Sequence, residues 1–354
     1  MGRYLLRRLL NYVVLLFIAV SLAWLLAQTQ LHPRMLFELR NPPLDPNAVE
    51  SLLRSANVNE NVPLLDRYLN WLYRGWPRAD GSITGGIFRW TQEGFFGIPG
   101  FAFDWGTSVQ GGGSVNEEIS RRIWVSFRLV TAGWILGTII GVGLGAWTAT
   151  RQYRISDRVV TAFALLLVAT PSYVTGEVAK MLATWANQKL GFQFFLFLGE
   201  RSTGTLPDYP FAELIDRLQH MLIPTIVLTL LGMAGLSRLQ RGLMLDALHS
   251  DFVRTARAKG LRENKAVMKH ALRTALIPTG TYFAFQAAAL FTGATFTERI
   301  FSFHGMGMYG VDTISKQDIN GVVAVTAFGG LCYLVGAMLA DVMVAILDPR
   351  VRLS

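Results

Sequence analysis

The densest set of chemically capable side chains lies between Asp251 and Pro278, in the stretch DFVRTARAKGLRENKAVMKHALRTALIP. Seven basic residues (Arg254, Arg257, Lys259, Arg262, Lys265, Lys269, Arg273) stand against two acidic ones, Asp251 and Glu263. Such a set suits binding to a negatively charged surface rather than bond-making chemistry. Phe252, Thr255 and Ala256 share one face at helical spacing, with Lys259 beside them. Gly260 can supply a left-handed cap, after which the chain turns. A second helix from about Asn264 is expected to bury Val267, Met268, Ala271 and Leu272 before Pro278. Two readings of this basic helix–turn–helix follow. It rests on anionic lipid, or it inserts into a groove on a partner. The small residues Ala256, Ala258 and Gly260 favour the groove, because a helix lying on lipid presents Leu, Phe or Trp on its inner face.

Other chemistry is thinly represented. No GxxxxGK[ST] occurs, so the chain carries no phosphate-binding loop and is not expected to hydrolyse ATP itself. No GxSxG and no HExxH occurs, and the five histidines are scattered, which disfavours an intramembrane enzyme and a metal site. Cys332 is the only cysteine, which excludes an internal disulfide and any cysteine-based zinc cluster. It lies in an apolar run and reads as a small packing residue. A few ionisable groups fall inside apolar segments. Arg128 either lines a path or snorkels to the outer interface, and snorkelling is the stronger reading. Glu177 and Lys180, three apart, suit an ion pair on one helix. Asp341 either lines a path or makes an interhelical hydrogen bond. Phe192 to Phe197 read as interface anchors.

These side chains need elements to hold them, and composition says what kind. The 354 residues are 51% hydrophobic and 16% charged, where a soluble domain carries about 25% charged residues. A polytopic all-α membrane protein is expected. The net charge of +9 gathers near segment ends, which speaks of membrane orientation rather than nucleic acid. Gly2 to Arg8 is basic, and Leu9 to Ala27 is apolar for longer than a signal peptide, with no small-x-small cleavage site. Residues 1–28 are therefore expected to hold a cytoplasmic start and the first transmembrane helix. Residues 29–122 form a long external region, with an amphipathic helix over 63–74 and a Gly-rich, irregular stretch over 75–113.

Residues 123–354 form a five-helix core. The expected spans are 123–148, 159–182 with a break at Pro171, 221–239, 275–297 and 321–347, with an outer loop over 183–219. Gly133, Gly137, Gly141 and Gly145 recur every fourth residue and line one helix face for close packing. Thr279, Gly280, Gln286, Thr292 and Gly293 give the fifth span enough polarity to line a seam. The first span brings the count to six. Both termini, Tyr153 and Ala258 are expected in the cytoplasm, and Asp80, Gly199 and Lys316 outside.

Phe252-Val253-Arg254-Thr255-Ala256-Arg257-Ala258-Lys259-Gly260, followed by His270-Ala271-Leu272-Arg273 and Ile277-Pro278, resembles a known signature. It is similar to the cytoplasmic "EAA" loop of permease subunits in ABC importers, in the form of the oligopeptide/dipeptide type. The resemblance covers most of the chain. Arg67-Tyr68-Leu69, Phe103-Asp104-Trp105-Gly106-Thr107-Ser108, Pro171-Ser172-Tyr173, Glu298-Arg299-Ile300-Phe301-Ser302, Gly305-Met306-Gly307 and Leu347-Asp348-Pro349-Arg350 all resemble family segments. Phe303-His304 stands where the family often has Trp-Pro. Ile123-Trp124-Val125-Ser126 stands where it often has Leu-Pro-x-Thr. Residues 75–102 look like an insertion.

The resemblance implies a type I importer permease fold with six transmembrane helices, in a bacterial cytoplasmic membrane. It implies a second homologous permease, two ATP-binding modules that carry the ATP and Mg, and an extracytoplasmic solute-binding protein. Asp251, Arg254, Thr255, Ala256, Arg257, Ala258, Lys259 and Gly260 would then couple the permease to the ATPase. Arg128, Gln286 and Asp341 are the candidates for the translocation path. Oligopeptides or dipeptides are the expected cargo. Glutathione, nickel and oligosaccharides are carried by other permeases of the family. A lipid-binding membrane scaffold is the competing class.

Overall fold

A computed structural model of the chain describes residues 2–38, 42, 44–78, 81–92, 99–109, 112–204, 210–286 and 294–347. It divides into two compact units. One comprises residues 6–124 with 306–331; the other comprises 125–305 with 1–5 and 332–354.

The first unit contains most of α1 (Gly2–Gln30), a largely apolar helix. Trp24 sits fully buried beside Tyr68 and Trp71, with ring centroids 5.2 and 5.8 Å away. These two rings come from α4 (Leu64–Leu69) and the π-helical turn Asn70–Arg74 that continues it, so the amphipathic helix expected over 63–74 is present. Two further short helices precede it: α2 (Pro33–Glu38) and α3 (Pro46–Ser55). Asp45 caps α3 by accepting from Asn47 N at 3.1 Å, and Pro46 starts the helix where its missing N–H costs nothing. Arg67 is buried and donates to Gln28 and to Val62 O; burial pushes its guanidinium pKa down.

The described residues of the Gly-rich stretch include regular structure. They form two short antiparallel strand pairs, β1 (Trp76–Pro77) with β2 (Ile83–Thr84), and β3 (Trp90–Thr91) with β4 (Gly100–Phe101). Gly106 is required here. Its φ is +88°, and a Cβ would overlap the buried Trp76 ring. The unit closes with α13 (Met306–Ser315) and the start of α14 (Ile319–Leu347). The Asn320 amide donates to Ala56 O at 2.8 Å and Thr107 O at 2.9 Å, which joins α14 to the loops.

Among the described residues, the regular structure of the second unit is helical. α5 (Val115–Ala149) starts eight residues before the expected span and runs on into this unit, because Val115 to Arg122 is already amphipathic. α6 (Ile155–Ala169) and α7 (Ser172–Leu190) meet at Pro171 with a bend of 108°, so the expected break is real. α8 (Ala212–Leu248) is far longer than the expected 221–239; it passes through Pro224 and carries Arg238 and Arg241 within it. The segment between α7 and α8 accordingly covers residues 191–211, shorter than the expected 183–219.

Gly133, Gly137, Gly141 and Gly145 face α8, as their spacing suggests. A Cβ on Gly141 would lie 2.9 Å from Leu236 Cβ, and one on Gly145 would lie 2.5 Å from Ser237 O. The two backbones approach closely, and dispersion contacts fill the seam. Beyond α8 come α9 (Asp251–Ala258), α10 (Glu263–Ala266), a π-helical turn Val267–Ala271 and α11 (Leu272–Gln286). α12 (Thr295–Ile300) follows. α11 runs through Pro278 rather than ending there. Its proline removes one backbone hydrogen bond, which the rest of the helix absorbs.

Among the described residues, α1, α5, α8 and α14 are each long and apolar enough to cross a membrane, and the bent pair α6–α7 makes a fifth span if counted as one. The expected span 275–297 includes residues 287–293, which lie outside the described residues, as do Asp80 and Asp348-Pro349-Arg350. Cys332 is buried in α14, consistent with a packing role.

Candidate functional site

α9 is eight residues long and could not hold itself together in water. It is held by one apolar stripe. Val253 and Ala256 are buried in a cluster with Ala149 of α5, Met244 and Ala247 of α8, and Ala271 and Ala275 beyond the turn. Alanine at these positions lets the short helix sit close to its neighbours. Ser250 precedes α9 and offers its backbone carbonyl to Val253 N and Arg254 N, both at 3.2 Å, while its hydroxyl bonds back to Ala247 O.

This orientation corrects the expected face. Ala256 points into the unit. Phe252 is 45% exposed, and Thr255 and Ala258 are exposed as well. Phe252, Thr255 and Ala256, expected on one face, are divided: Ala256 is buried while the other two are exposed. Val253 and Ala256, three apart, are the pair that α8 accommodates. Met268, also expected inside, is 62% exposed, because the π-helical turn Val267–Ala271 rotates it away.

The turn after α9 carries its own chemistry. Gly260 has φ +83°. Its N–H bonds to Arg257 O at 3.0 Å, and the next N–H, of Leu261, bonds to Ala256 O at 3.3 Å. This is the Schellman pattern, and the residue at its left-handed position is glycine, as the sequence predicts. Leu261 folds back onto the apolar cluster. Nothing lies within 4 Å of where a Gly260 Cβ would stand. The glycine is therefore required by backbone conformation and not by crowding.

All seven basic residues of the stretch are exposed. Asp251 and Arg254 approach to 3.9 Å, but both are largely exposed, so their pairing neutralises little. The result is a small cationic surface with Phe252 and Met268 exposed within it. An acidic or mixed protein groove satisfies such a surface.

The path candidates fall in different places. Arg128 on α5 forms an ion pair with Glu200 from the 191–211 segment. The sequence considered lipid or a path for Arg128 and missed this acid, which follows a Phe-rich stretch and carries no periodicity signal. Gln286 donates to Tyr282 OH at 2.6 Å on its own helix. Asp341 is half-buried in α14. Thr279 turns inward and donates to the fully buried Gln240 of α8 at 2.5 Å, so it does not line a seam. Gly280 is half-buried, while Thr292 and Gly293 lie outside the described residues. Glu177 and Lys180 make the expected ion pair at 3.2 Å.

Sequence comparison fixes the frame for this geometry. The model of the binding-protein-dependent transport system inner membrane component family matches residues 141–353, which include α9 and its glycine cap. The chain belongs to that family. Among its relatives, the oligopeptide transport system permease protein OppB of Mycobacterium tuberculosis is 43% identical over 354 residues, covering all of both chains. The dipeptide transport system permease protein DppB of Lactococcus lactis is 32% identical over 353 residues, again covering both chains in full. The oligopeptide transport system permease protein AppB of Bacillus subtilis is 33% identical over 250 residues, 70% of this chain and 76% of the relative. This inner membrane component is thus a multi-pass, helical part of a binding-protein-dependent transport system. Its role there is transport rather than bond-making.

Proposed function

We propose that the chain is one of two homologous permease subunits of an ATP-driven importer, and that it forms half of the path for oligopeptides or dipeptides delivered by an external solute-binding protein. The observation that carries the ATP-driven part is the exposed, glycine-capped α9 on a chain that lacks a phosphate-binding loop. The hydrolysing site must then lie on partners, two ATP-binding modules holding ATP and Mg, and α9 is the surface they grip. The cargo reading rests on what the relatives are named for. Uptake by the reconstituted complex tests it. Labelled di- to pentapeptides should accumulate in an ATP-dependent way, and retention of only glutathione, nickel or an oligosaccharide by the cognate binding protein would reassign the cargo.

In this reading six spans cross the bacterial cytoplasmic membrane: α1, α5, the bent α6–α7 pair, α8, α11 with the residues after it, and α14. Both termini are cytoplasmic, residues 29–122 are external, and residues 123–354 form the permease core. Single cysteines in a Cys332→Ser background should report this topology. Positions 153 and 258 should be labelled only from inside, and positions 80, 199 and 316 only from outside. External labelling at position 258 overturns the arrangement.

Arg128, Gln286 and Asp341 remain candidates for the path. Arg128 is the least promising, since Glu200 already satisfies it. The pair is partly exposed, and such pairs contribute at most about 1 kcal/mol. Arg128→Ala should leave the ATPase bound and change uptake by no more than roughly twofold, about 0.4 kcal/mol. A tenfold fall in uptake, with the ATPase still bound, would put Arg128 on the path.

A further inference from the structure

Asp157 is an acidic residue in the first turn of α6, and its side chain is only 4% exposed. It receives four hydrogen bonds. Arg241 of α8 grips it with two arms, Nε to Oδ1 at 2.7 Å and Nη2 to Oδ2 at 2.9 Å. Tyr153 N donates to Oδ2 at 3.0 Å, and the Thr161 hydroxyl donates to Oδ1 at 3.4 Å. Tyr153 adopts φ +66°, a conformation that a tyrosine holds only when its surroundings fix it. The α5–α6 turn is thus wound around one carboxylate, and that carboxylate is bolted to α8.

Its place in the unit gives the pair meaning. Arg241 lies one turn before Met244 and two turns before Ala247, the residues on which α9 rests. Ala149, just before the same turn, belongs to that cluster too. A displacement of α9 is therefore delivered to α8 and to the end of α5. The apolar contacts there can slide; a two-armed charged bond resists sliding because both arms must break together. α6 then leads to the bend at Pro171 and to α7, where Gly176 lies against Ile300 of α12. α12 carries Glu298, fully buried, which accepts from Ser126 Oγ of α5 at 2.6 Å. The elements form a contiguous packed series from α9 to α12.

Resting on the importer reading above, we infer that Asp157 and Arg241 are positioning residues for transport: their two-armed bond makes α6 follow α8 when the ATPase moves α9. Neither touches cargo. Each acts through the helix it holds.

The test uses the full complex in proteoliposomes, with ATP hydrolysis and peptide uptake measured in the same vesicles. Asp157→Asn keeps the shape and removes the charge. Arg241→Lys keeps the charge and removes one arm. The expected result is that both variants assemble, hydrolyse ATP in response to loaded binding protein within about twofold of wild type, and move at least tenfold less peptide per ATP for Asp157→Asn, with Arg241→Lys between it and wild type. A purely structural role would lower assembly, hydrolysis and uptake together and leave peptide per ATP unchanged; that outcome overturns the proposal. Should Asp157→Asn not assemble, Arg241→Lys decides alone, and a wild-type ratio, or failure of both variants to assemble, also overturns it. A wild-type complex that hydrolyses ATP yet takes up no peptide would instead sink the importer reading.

Discussion

Gly260→Val is expected to abolish peptide uptake while the permease still inserts and accumulates normally, and Gly260→Asn is expected to preserve most of it. This contrast follows from the turn after α9. Gly260 sits at φ +83° with open space around its missing Cβ, so neither side chain meets a steric wall. The difference is confined to the backbone. A left-handed conformation costs an ordinary L-residue roughly 1–2 kcal/mol, and more when the side chain is β-branched, whereas asparagine visits it readily. Valine can relieve that strain only by leaving the left-handed region. Doing so breaks the bonds from Gly260 N to Arg257 O and from Leu261 N to Ala256 O, and it frees Leu261 from the apolar cluster. The end of α9 then frays where Lys259 and Arg257 are presented. Coupling energies between sites are typically about 1–3 kcal/mol, so a loss of this size removes most of the linkage between ATPase closure and the path. Membrane level by immunoblot and uptake in the same cells decide the matter. Normal uptake by Gly260→Val at normal expression would remove this turn from the mechanism.

Much of this site can be read from the sequence, and the parts that cannot share a cause. The glycine cap is legible because a left-handed position has a strong residue preference. The break at Pro171 is legible because proline removes a donor and clashes with the preceding turn. The glycine stripe on α5 is legible because a four-residue spacing fixes which face is narrow. Facing residues are a different kind of fact. Whether Phe252 or Val253 turns inward depends on the shape of α8 and Ala149, and nothing within the VRTARAKG stretch encodes that shape. The same holds for charges. Arg241 and Asp157 are 84 positions apart and no sequence spacing pairs them; only folding brings the two together. α8 outruns the span expected over 221–239 because a helix continues unbroken past the end of an apolar run whenever its next turns can pack, as Met244 and Ala247 do. The strand pairs β1–β2 and β3–β4 are not legible in the sequence because two-residue strands carry no periodicity.

The inward turn of Ala256 separates two substitutions that the sequence alone would treat as equivalent. Tryptophan at position 256 must enter the cluster of Ala149, Met244 and Ala247, where alanine is 7% exposed. Overpacking of a tight core costs about 1–3 kcal/mol, and a change as large as Ala to Trp falls at or beyond the upper end. α9 contributes few other anchors, so the helix is expelled from its seat. Tryptophan at position 255 stands on the exposed face beside Phe252 and costs the isolated permease almost nothing. It fills the space that an ATPase groove must occupy. Both variants should therefore lose uptake, by different routes. Ala256→Trp should lower the melting temperature of the solubilised permease pair by several degrees and lose the ATPase as a consequence. Thr255→Trp should melt like wild type and still fail to retain the ATPase on purification. Thermal melts of the permease pair without ATPase, read alongside ATPase stoichiometry after affinity capture, distinguish the two. If Thr255→Trp holds a full complement of ATPase and transports normally, the outer face of α9 is not the gripping surface, and the exposed basic residues beyond Gly260, from Arg262 to Arg273, must supply the contact instead.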